Sequence, residues 1–396
     1  MKLTILSAVL FSLVIGCTPI GGVGGFSPLM GKGSLSAEPV PVELTWVKKL
    51  KTEGIMADAA FEFGQPAYSA TAQLAWAGSA NGHLYCFNTI DGSIVWRRDV
   101  GGIRSGITLA NNLLYVGVRD GRLAAYDARN GDERWHYRVK GVVVKAPVIA
   151  GQNVLVVDGT NAIYAINGQT GKWAWQYRRE TPRHFSVFGE SRPLAKKRRV
   201  YIGFSDGHVV ALSPKDGAVL WTKNLAPEAP KFLDVDATVI SKGKTVFGAS
   251  IGGGLYALDR KTGKTRWTLP IMGIVGLTLH EGDLVASLDT GRIIRIDTFG
   301  RKIRWSTHLK GRSGFATEPV VWGNHVLVTL SKGPLYWLDA ATGRPIRQFH
   351  SGPGFSVAPQ VGPDGIFALD NDATLFAFKT NVSRKDNRRT PLSASP

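Results

Sequence analysis

Cysteine is almost absent from this 396-residue chain, which has Cys17 and Cys86 and no other. Two cysteines exclude a disulfide scaffold and any cysteine-rich metal site. The eight histidines include no H-x-x-x-H or H-E-x-x-H spacing, so nothing supports a zinc site. Acidic residues are in deficit: 30 Asp and Glu stand against 48 Lys and Arg, a net charge of +18. After residue 16 no apolar run is long enough for a membrane helix, which needs about 20 residues. What is plentiful is glycine (47) and tryptophan (11), with 44% hydrophobic residues. That composition supports a sizeable core and excludes global disorder. Glycine at this level punctuates many short turns and argues against a mostly helical protein.

The N-terminus reads as an address. Lys2 precedes an apolar stretch, residues 3–15, that is too short to span a bilayer. Gly16-Cys17 at its end resembles the cleavage motif of bacterial lipoproteins. That resemblance makes residues 1–16 a signal peptide and Cys17 a lipidated first residue, held by several acyl chains. Thr18, rather than Asp, favours the periplasmic face of the outer membrane. The alternative is an ordinary cleavage site that happens to precede a cysteine. Residues 17–40 are rich in Gly, Pro and Ser and read as the lipidated Cys and a flexible tether. Residues 381–396 read as a disordered polar tail. With Cys17 acylated, Cys86 has no partner and is expected mid-strand as a small buried residue.

Between them, residues 41–380 repeat one unit. Its frame is seen at Leu255-Tyr256-Ala257-Leu258-Asp259, followed by Arg260-Lys261-Thr262-Gly263 and Trp267. The aliphatic residue and the Trp are twelve apart in each copy: 84 and 96, 123 and 135, 163 and 175, 209 and 221, 255 and 267, 293 and 305. A seventh copy starts at Leu335 with Arg347 in the Trp position. An eighth starts at Leu375 and lacks its Trp strand, for which Leu44-Thr45-Trp46-Val47 is the candidate. Alternation gives strands, and Asp/Asn-x-x-Thr/Asp-Gly gives a tight turn. With two more strands upstream, each unit is a four-stranded antiparallel blade. The period of about 42 residues fits an all-β, eight-bladed propeller. The N-terminal strand completes the last blade, and closure removes exposed sheet edges. Trp46, Trp96, Trp135, Trp175, Trp221, Trp267 and Trp305 are expected between blades. Burying one such ring contributes on the order of 3 kcal/mol, and Trp267→Ala is expected to cost roughly 3–5 kcal/mol.

Two segments imitate a hydrolase. Gly203-Phe204-Ser205-Asp206-Gly207 and Gly248-Ala249-Ser250-Ile251-Gly252 fit G-x-S-x-G, which requires a strand-to-helix turn. Both occupy the same place in successive repeats, so a repeated hairpin turn accounts for them and no catalytic residue is assigned. Carboxylates such as Asp289 and Asp297 likewise fall at repeat positions, leaving no metal site. Lys196-Lys197-Arg198-Arg199 lies at a strand-to-strand turn. It reads as a solvated run or as a site attracted to anionic lipid or lipopolysaccharide phosphates. Export makes nucleic acid a remote partner.

The repeats are unequal in one respect. From one Trp to the next frame the interval is 26 to 30 residues in most copies, but 34 after Trp175 and 34 after Trp221; the 38 after Trp46 belongs to a distant blade. The extra residues form two long loops on the same face of neighbouring blades. One carries Phe185, Val187 and Phe188; the other carries Asp234 and Asp236. Apolar and acidic groups side by side make a plausible partner patch; the alternative is that the aromatics cap the core.

The lipobox, the Trp-marked repeats, Gly189-Glu190-Ser191-Arg192-Pro193, Leu233-Asp234-Val235-Asp236-Ala237-Thr238, Gly314-Phe315-Ala316-Thr317-Glu318-Pro319 and Leu335-Tyr336-Trp337-Leu338 together resemble the BamB family. These are lipoproteins of the outer-membrane β-barrel assembly (BAM) complex. The resemblance implies a scaffold without cofactor that binds BamA POTRA domains and assists folding and insertion of β-barrel clients. By motif position it assigns partner contact to Phe185, Val187, Phe188, Asp234 and Asp236. Val187→Glu with Asp234→Arg is then expected to abolish that contact. Phe188 departs from the family, which has Arg there, and so does the basic net charge. Two rivals remain. One is an envelope propeller lipoprotein that binds another protein or a glycan. The other is a pyrroloquinoline-quinone dehydrogenase, whose alcohol-oxidising members stack the quinone on adjacent cysteines that this chain lacks.

Overall fold

Period-two alternation through short segments separated by glycine turns yields eight separate four-stranded antiparallel sheets. The structure is a computed structural model. It describes residues 42–50, 64–80, 82–143, 145–180, 191–226, 233–309, 314–363 and 365–380. Residues 1–41, with Cys17 and the tether, lie outside the described residues, as do 381–396 and Phe185, Val187 and Phe188. No helix occurs among the described residues.

The chain is an eight-bladed propeller. Blades one to seven are consecutive in sequence, at 67–99, 108–138, 148–178, 194–224, 240–269, 274–308 and 320–349. Blade eight takes three strands from 360–380 and its outer strand from Val42–Lys49, so the ends of the chain close the ring. Val42 pairs with Thr380 and Lys49 with Thr374 across that seam.

The up-and-down order fixes two faces. Turns from first to second strand and from third to outer strand lie on one face, here the turn face. Turns from second to third strand and the blade-to-blade connections lie on the other, the loop face. Inner strands surround a central funnel, and apolar side chains of adjacent sheets fill the wedges between blades. One such wedge holds Trp175, Ile202, Phe204 and Val210.

The recurrent tryptophan does more than fill space. On its own strand pair it faces a small residue, as in Ala125 opposite Trp135 and Ala211 opposite Trp221. In blade one that small residue is Cys86, opposite Trp96. Cys86 is fully buried, and burial pushes its thiol up to about 12. Each indole then reaches the third-to-outer turn of the next blade. Trp46 donates its N–H to Thr89 O at 3.0 Å, Trp96 to Ala128 O at 3.2 Å, and Trp135 to Gly168 O at 2.9 Å. Trp175 donates to Pro214 O at 3.0 Å, Trp221 to Arg260 O at 3.1 Å, and Trp305 to Ala340 O at 3.0 Å. The ring covers the glycine that ends the same turn. Gly217 has φ 73°, and a Cβ there would sit 2.6 Å from the Trp175 ring. Only glycine serves both demands.

Two of the eight junctions differ. Trp267 is only partly buried and leans on Phe247 at 5.7 Å. Among the described residues its indole meets no carbonyl acceptor. The reason is in the next blade: Arg301 (φ 54°) stands where the other turns carry glycine, so a side chain begins where the ring would lie. At the seam there is no turn to clasp, because blade eight is made of two separate parts of the chain. There Arg347 replaces tryptophan, donates to Val42 O and lies over the Trp337 ring at 5.7 Å. In blade six the usual small residue is Arg295. Its guanidinium binds Asp283 at 2.8 Å and Ala340 O at 2.9 Å, beside the Trp305 bond to that same carbonyl.

The clasp therefore grades the tryptophans. Trp175→Ala should cost roughly 3–5 kcal/mol, and Trp267→Ala about half as much, since it loses less burial and no hydrogen bond. Gly217→Ala should cost more than the ~1 kcal/mol of a simple positive-φ substitution. Urea unfolding of the three variants tests that order. Cys86 should resist thiol reagents in the folded protein and react fully in denaturant.

Candidate functional site

The chemistry-bearing residues gather on the loop face, where blade-to-blade connections converge on the funnel. A cavity of about 640 Å³ opens there, lined among others by Arg104, Lys145, Arg192, Asp236, Thr238 and Glu318. Five lining residues stand just before the proline that leads into an inner strand: Gln65, Ala146, Arg192, Glu318 and Ala358 precede Pro66, Pro147, Pro193, Pro319 and Pro359. Proline holds the preceding residue extended. Two of the five are small and Gln65 is neutral; the other two place a cation and a carboxylate in one cavity.

Arg192 is anchored across blades. Its Nε donates to Ala146 O at 3.3 Å and its Nη2 to Pro147 O at 3.4 Å. Burial lowers its pKa, opposed by the charge of Glu318. Glu318 accepts from Thr238 Oγ1 at 3.3 Å. Burial raises its carboxyl above the ordinary 4.5, and the charges of Arg192 and Lys145 pull the other way without cancelling the effect.

The segment holding Asp234 and Asp236 is stitched between two hairpin turns. Val235 N–H donates to Phe204 O at 3.2 Å, Ile251 N–H donates to Asp234 O at 3.0 Å, and Ser250 Oγ donates to Leu233 O at 2.7 Å. Val235 is fully buried against Gly203, where a Cβ would collide with it. Ser191 clamps the other side of Gly203: its N–H donates to Gly203 O, and its Oγ accepts Gly203 N–H at 2.7 Å. Asp234 and Asp236 are 2% and 5% exposed. Asp236 lines the funnel and Asp234 is buried behind it in the same segment, so neither sits at an open loop tip. Phe185, Val187 and Phe188 lie outside the described residues, and their distance from the aspartates is undefined.

Neither G-x-S-x-G segment is a nucleophile elbow. Gly203–Gly207 joins strands Arg199–Gly203 and His208–Leu212, and Gly207 N–H closes the turn onto Phe204 O at 3.2 Å. The 248–252 segment links Thr245–Ser250 to Gly254–Asp259 in the same way. At Asp206, burial opposes ionisation, but hydrogen bonds from His208 and Arg179 hold its carboxyl below the ordinary range. This is a structural ion pair at the turn.

A quinone site of the alcohol-dehydrogenase type does not fit these residues. The adjacent cysteines are missing, and Cys86 is sealed opposite Trp96. Among the described residues no three His, Cys, Asp or Glu side chains come together as metal ligands. The fold and funnel define a propeller of the quinoprotein type.

Residues 80–307 match the family described as "Outer membrane protein assembly factor BamB", and the chain belongs to that family. A curated relative named as that factor in Yersinia pestis is 25% identical over 333 residues, covering 79% of this chain and 84% of its own length. The crystal structure of BamB from Moraxella catarrhalis superposes with a TM-score of 0.73 at 23% identity, covering 85% of this chain and 99% of that one. A europium-containing methanol dehydrogenase shares the fold at TM-score 0.69 and 13% identity, over 86% of this chain and 93% of its own. The family is thus one of assembly, on a scaffold that enzymes also use.

The funnel charges escaped sequence reasoning, although Arg192 and Glu318 both stood in conspicuous motifs. The signal was available: aligned on the proline that five repeats carry before the inner strand, the preceding residue is small in two, glutamine in one and charged in these two. Because Glu318 titrates above its unfolded value, the folded protein keeps a proton that the unfolded chain has lost. Its contribution to stability is full below pH 4.5 and is lost as pH rises through the folded pKa. Glu318→Gln should remove that loss, so its stability relative to the parent should climb with pH over that window. Urea midpoints measured from pH 4 upward check the sign.

Proposed function

We propose that the protein is a non-catalytic lipoprotein scaffold of the outer-membrane β-barrel assembly complex, binding BamA POTRA domains through its loop face. The observation that carries this reading is family membership combined with the two long blade-to-blade connections, which leave adjacent blades on one face. In this reading Cys17 is acylated and holds the propeller at the periplasmic side of the outer membrane. Unfolded β-barrel chains are the clients whose folding and insertion it assists.

The contact is divided between two kinds of residue. Phe185, Val187 and Phe188 are the apolar contact residues. Asp234 and Asp236 stiffen the neighbouring segment from buried positions, and both carboxylate oxygens of Asp236 are closed off from solvent. Phe188, standing where relatives carry arginine, makes the contact more apolar and less dependent on salt. Asp234→Arg is a poor test of contact, because it forces a long cation into a buried position.

Affinity purification of the tagged, full-length lipoprotein from mildly solubilised membranes, followed by mass spectrometry, tests the reading. BamA should be recovered with the parent and lost with Val187→Glu, while circular dichroism and unfolding of that variant stay unchanged. Recovery of a different envelope protein or a glycan in place of BamA would overturn the partner and keep the propeller. Asp234→Asn should retain BamA at reduced stability.

A further inference from the structure

The loop face has a proposed task, and the turn face opposite carries observations that the scaffold reading does not use. Val42 enters the propeller on the turn face, because it begins an outer strand and pairs with Thr380 at the end of a third strand. Cys17 lies twenty-five residues before it, within a contour of roughly 85 Å. A chain anchored at Cys17 therefore joins the propeller from this side.

The same face is strongly cationic over blades four to six. The first-to-second turn of blade four is Lys196-Lys197-Arg198-Arg199, and its third-to-outer turn carries Lys215. Blade five adds Lys244, Lys261 and Lys264, all exposed. Among the described residues none of these makes an ion pair. Of the acidic neighbours, Asp216 is exposed, Asp259 is already paired with Arg266, and in blade six Glu281, Asp283 and Asp297 are paired with Arg295 and Arg304. Several loop-face arginines, by contrast, are neutralised, Arg122 by Asp120 at 2.7 Å and Arg179 by Asp206. At the tip of the adjoining turn in blade six, Phe299 is 96% exposed, beside Arg301 and Lys302. A fully exposed aromatic ringed by unpaired cations is the pattern of a surface that rests on headgroups, with the ring at the acyl boundary.

We propose that the turn face of blades four to six docks on an anionic phospholipid surface. The lysines meet headgroup phosphates and Phe299 reaches between them. This rests on the lipid-anchored reading of Cys17, which brings the face within reach of a bilayer. It lets membrane and protein partner be held together, one on each face.

The test uses the mature chain from Thr18 onward, which contains the whole closed ring and carries neither signal peptide nor acyl group. Flotation is measured with vesicles of phosphatidylethanolamine containing one quarter phosphatidylglycerol, and with neutral phosphatidylcholine vesicles. The parent should float with the anionic vesicles only, and less as salt is raised. Each of Lys215→Glu, Lys244→Glu, Lys261→Glu and Lys264→Glu should weaken partition about fivefold, and the four together should abolish it. Phe299→Ser should weaken it several-fold at unchanged net charge. Arg119→Glu with Lys140→Glu, exposed on the loop face, should leave it intact. Equal binding to neutral vesicles, no binding to anionic ones, or an equal loss from the loop-face pair would overturn the proposal. Loss of BamA capture by the fourfold variant with flotation unchanged would make the turn face a protein contact instead. Because the vesicles contain no BamA and the chain no acyl group, failure here leaves the scaffold reading standing. Failure of BamA capture leaves flotation to be judged by itself.

Discussion

Everything in this molecule hangs on one repeated contact: an indole that donates to a turn carbonyl of the next blade and covers the glycine ending that turn. A propeller blade has no stability of its own, since it buries its apolar faces only against neighbours. Dispersion and burial hold the wedges together but are not directional. The indole hydrogen bond adds direction, setting the angle and height of one blade on the next. Repeated from Trp46 to Trp305, it specifies a ring rather than a stack.

That contact explains why the chain is rigid in one measure and loose in another. The twelve residues from aliphatic position to tryptophan are constant, because the indole must land on a turn at fixed height. The blade-to-blade connections carry no such demand, so they vary. Variation is thereby confined to the loop face, which is where a family member can acquire a partner without disturbing the ring. The funnel charges obey the same logic. Arg192 and Glu318 sit just before inner strands, where the clasp does not reach, and they can differ between repeats without weakening a junction.

The parts legible in the sequence were those encoded within one repeat. The strand alternation, the Trp frame and the turn glycines are local, and Leu44 to Val47 could be recognised as the missing strand because its Trp had the right neighbours. What escaped was set by distance along the chain. Glu318 faces Arg192 only after the ring has closed, and no local pattern joins them. Asp234 and Asp236 read as exposed loop acids because they sit in a long connection, yet bonds to Phe204 and Ile251 fold that segment into the wall. Trp267 matched the frame perfectly, while the residue that unseats it, Arg301, belongs to the next repeat.

The seam shows how the clasp yields where the chain forbids it. Blade eight lacks a third-to-outer turn, so an indole from blade seven would find no carbonyl at the usual place. A longer, charged donor solves this: Arg347 reaches Val42 O directly, and the displaced tryptophan becomes Trp337, under the guanidinium. The exchange ties down the strand that a lipid tether would pull. Traction on Val42 away from the turn face acts along that strand's axis, so it shears the pairing with 374–380 instead of peeling it. Under shear the ladder bonds bear load together, and the first residue of the strand is also held by Arg347. Closing the ring with the N-terminal strand thus places the entry of the chain, where the proposed anchor would pull, at the junction whose bonding geometry best resists it.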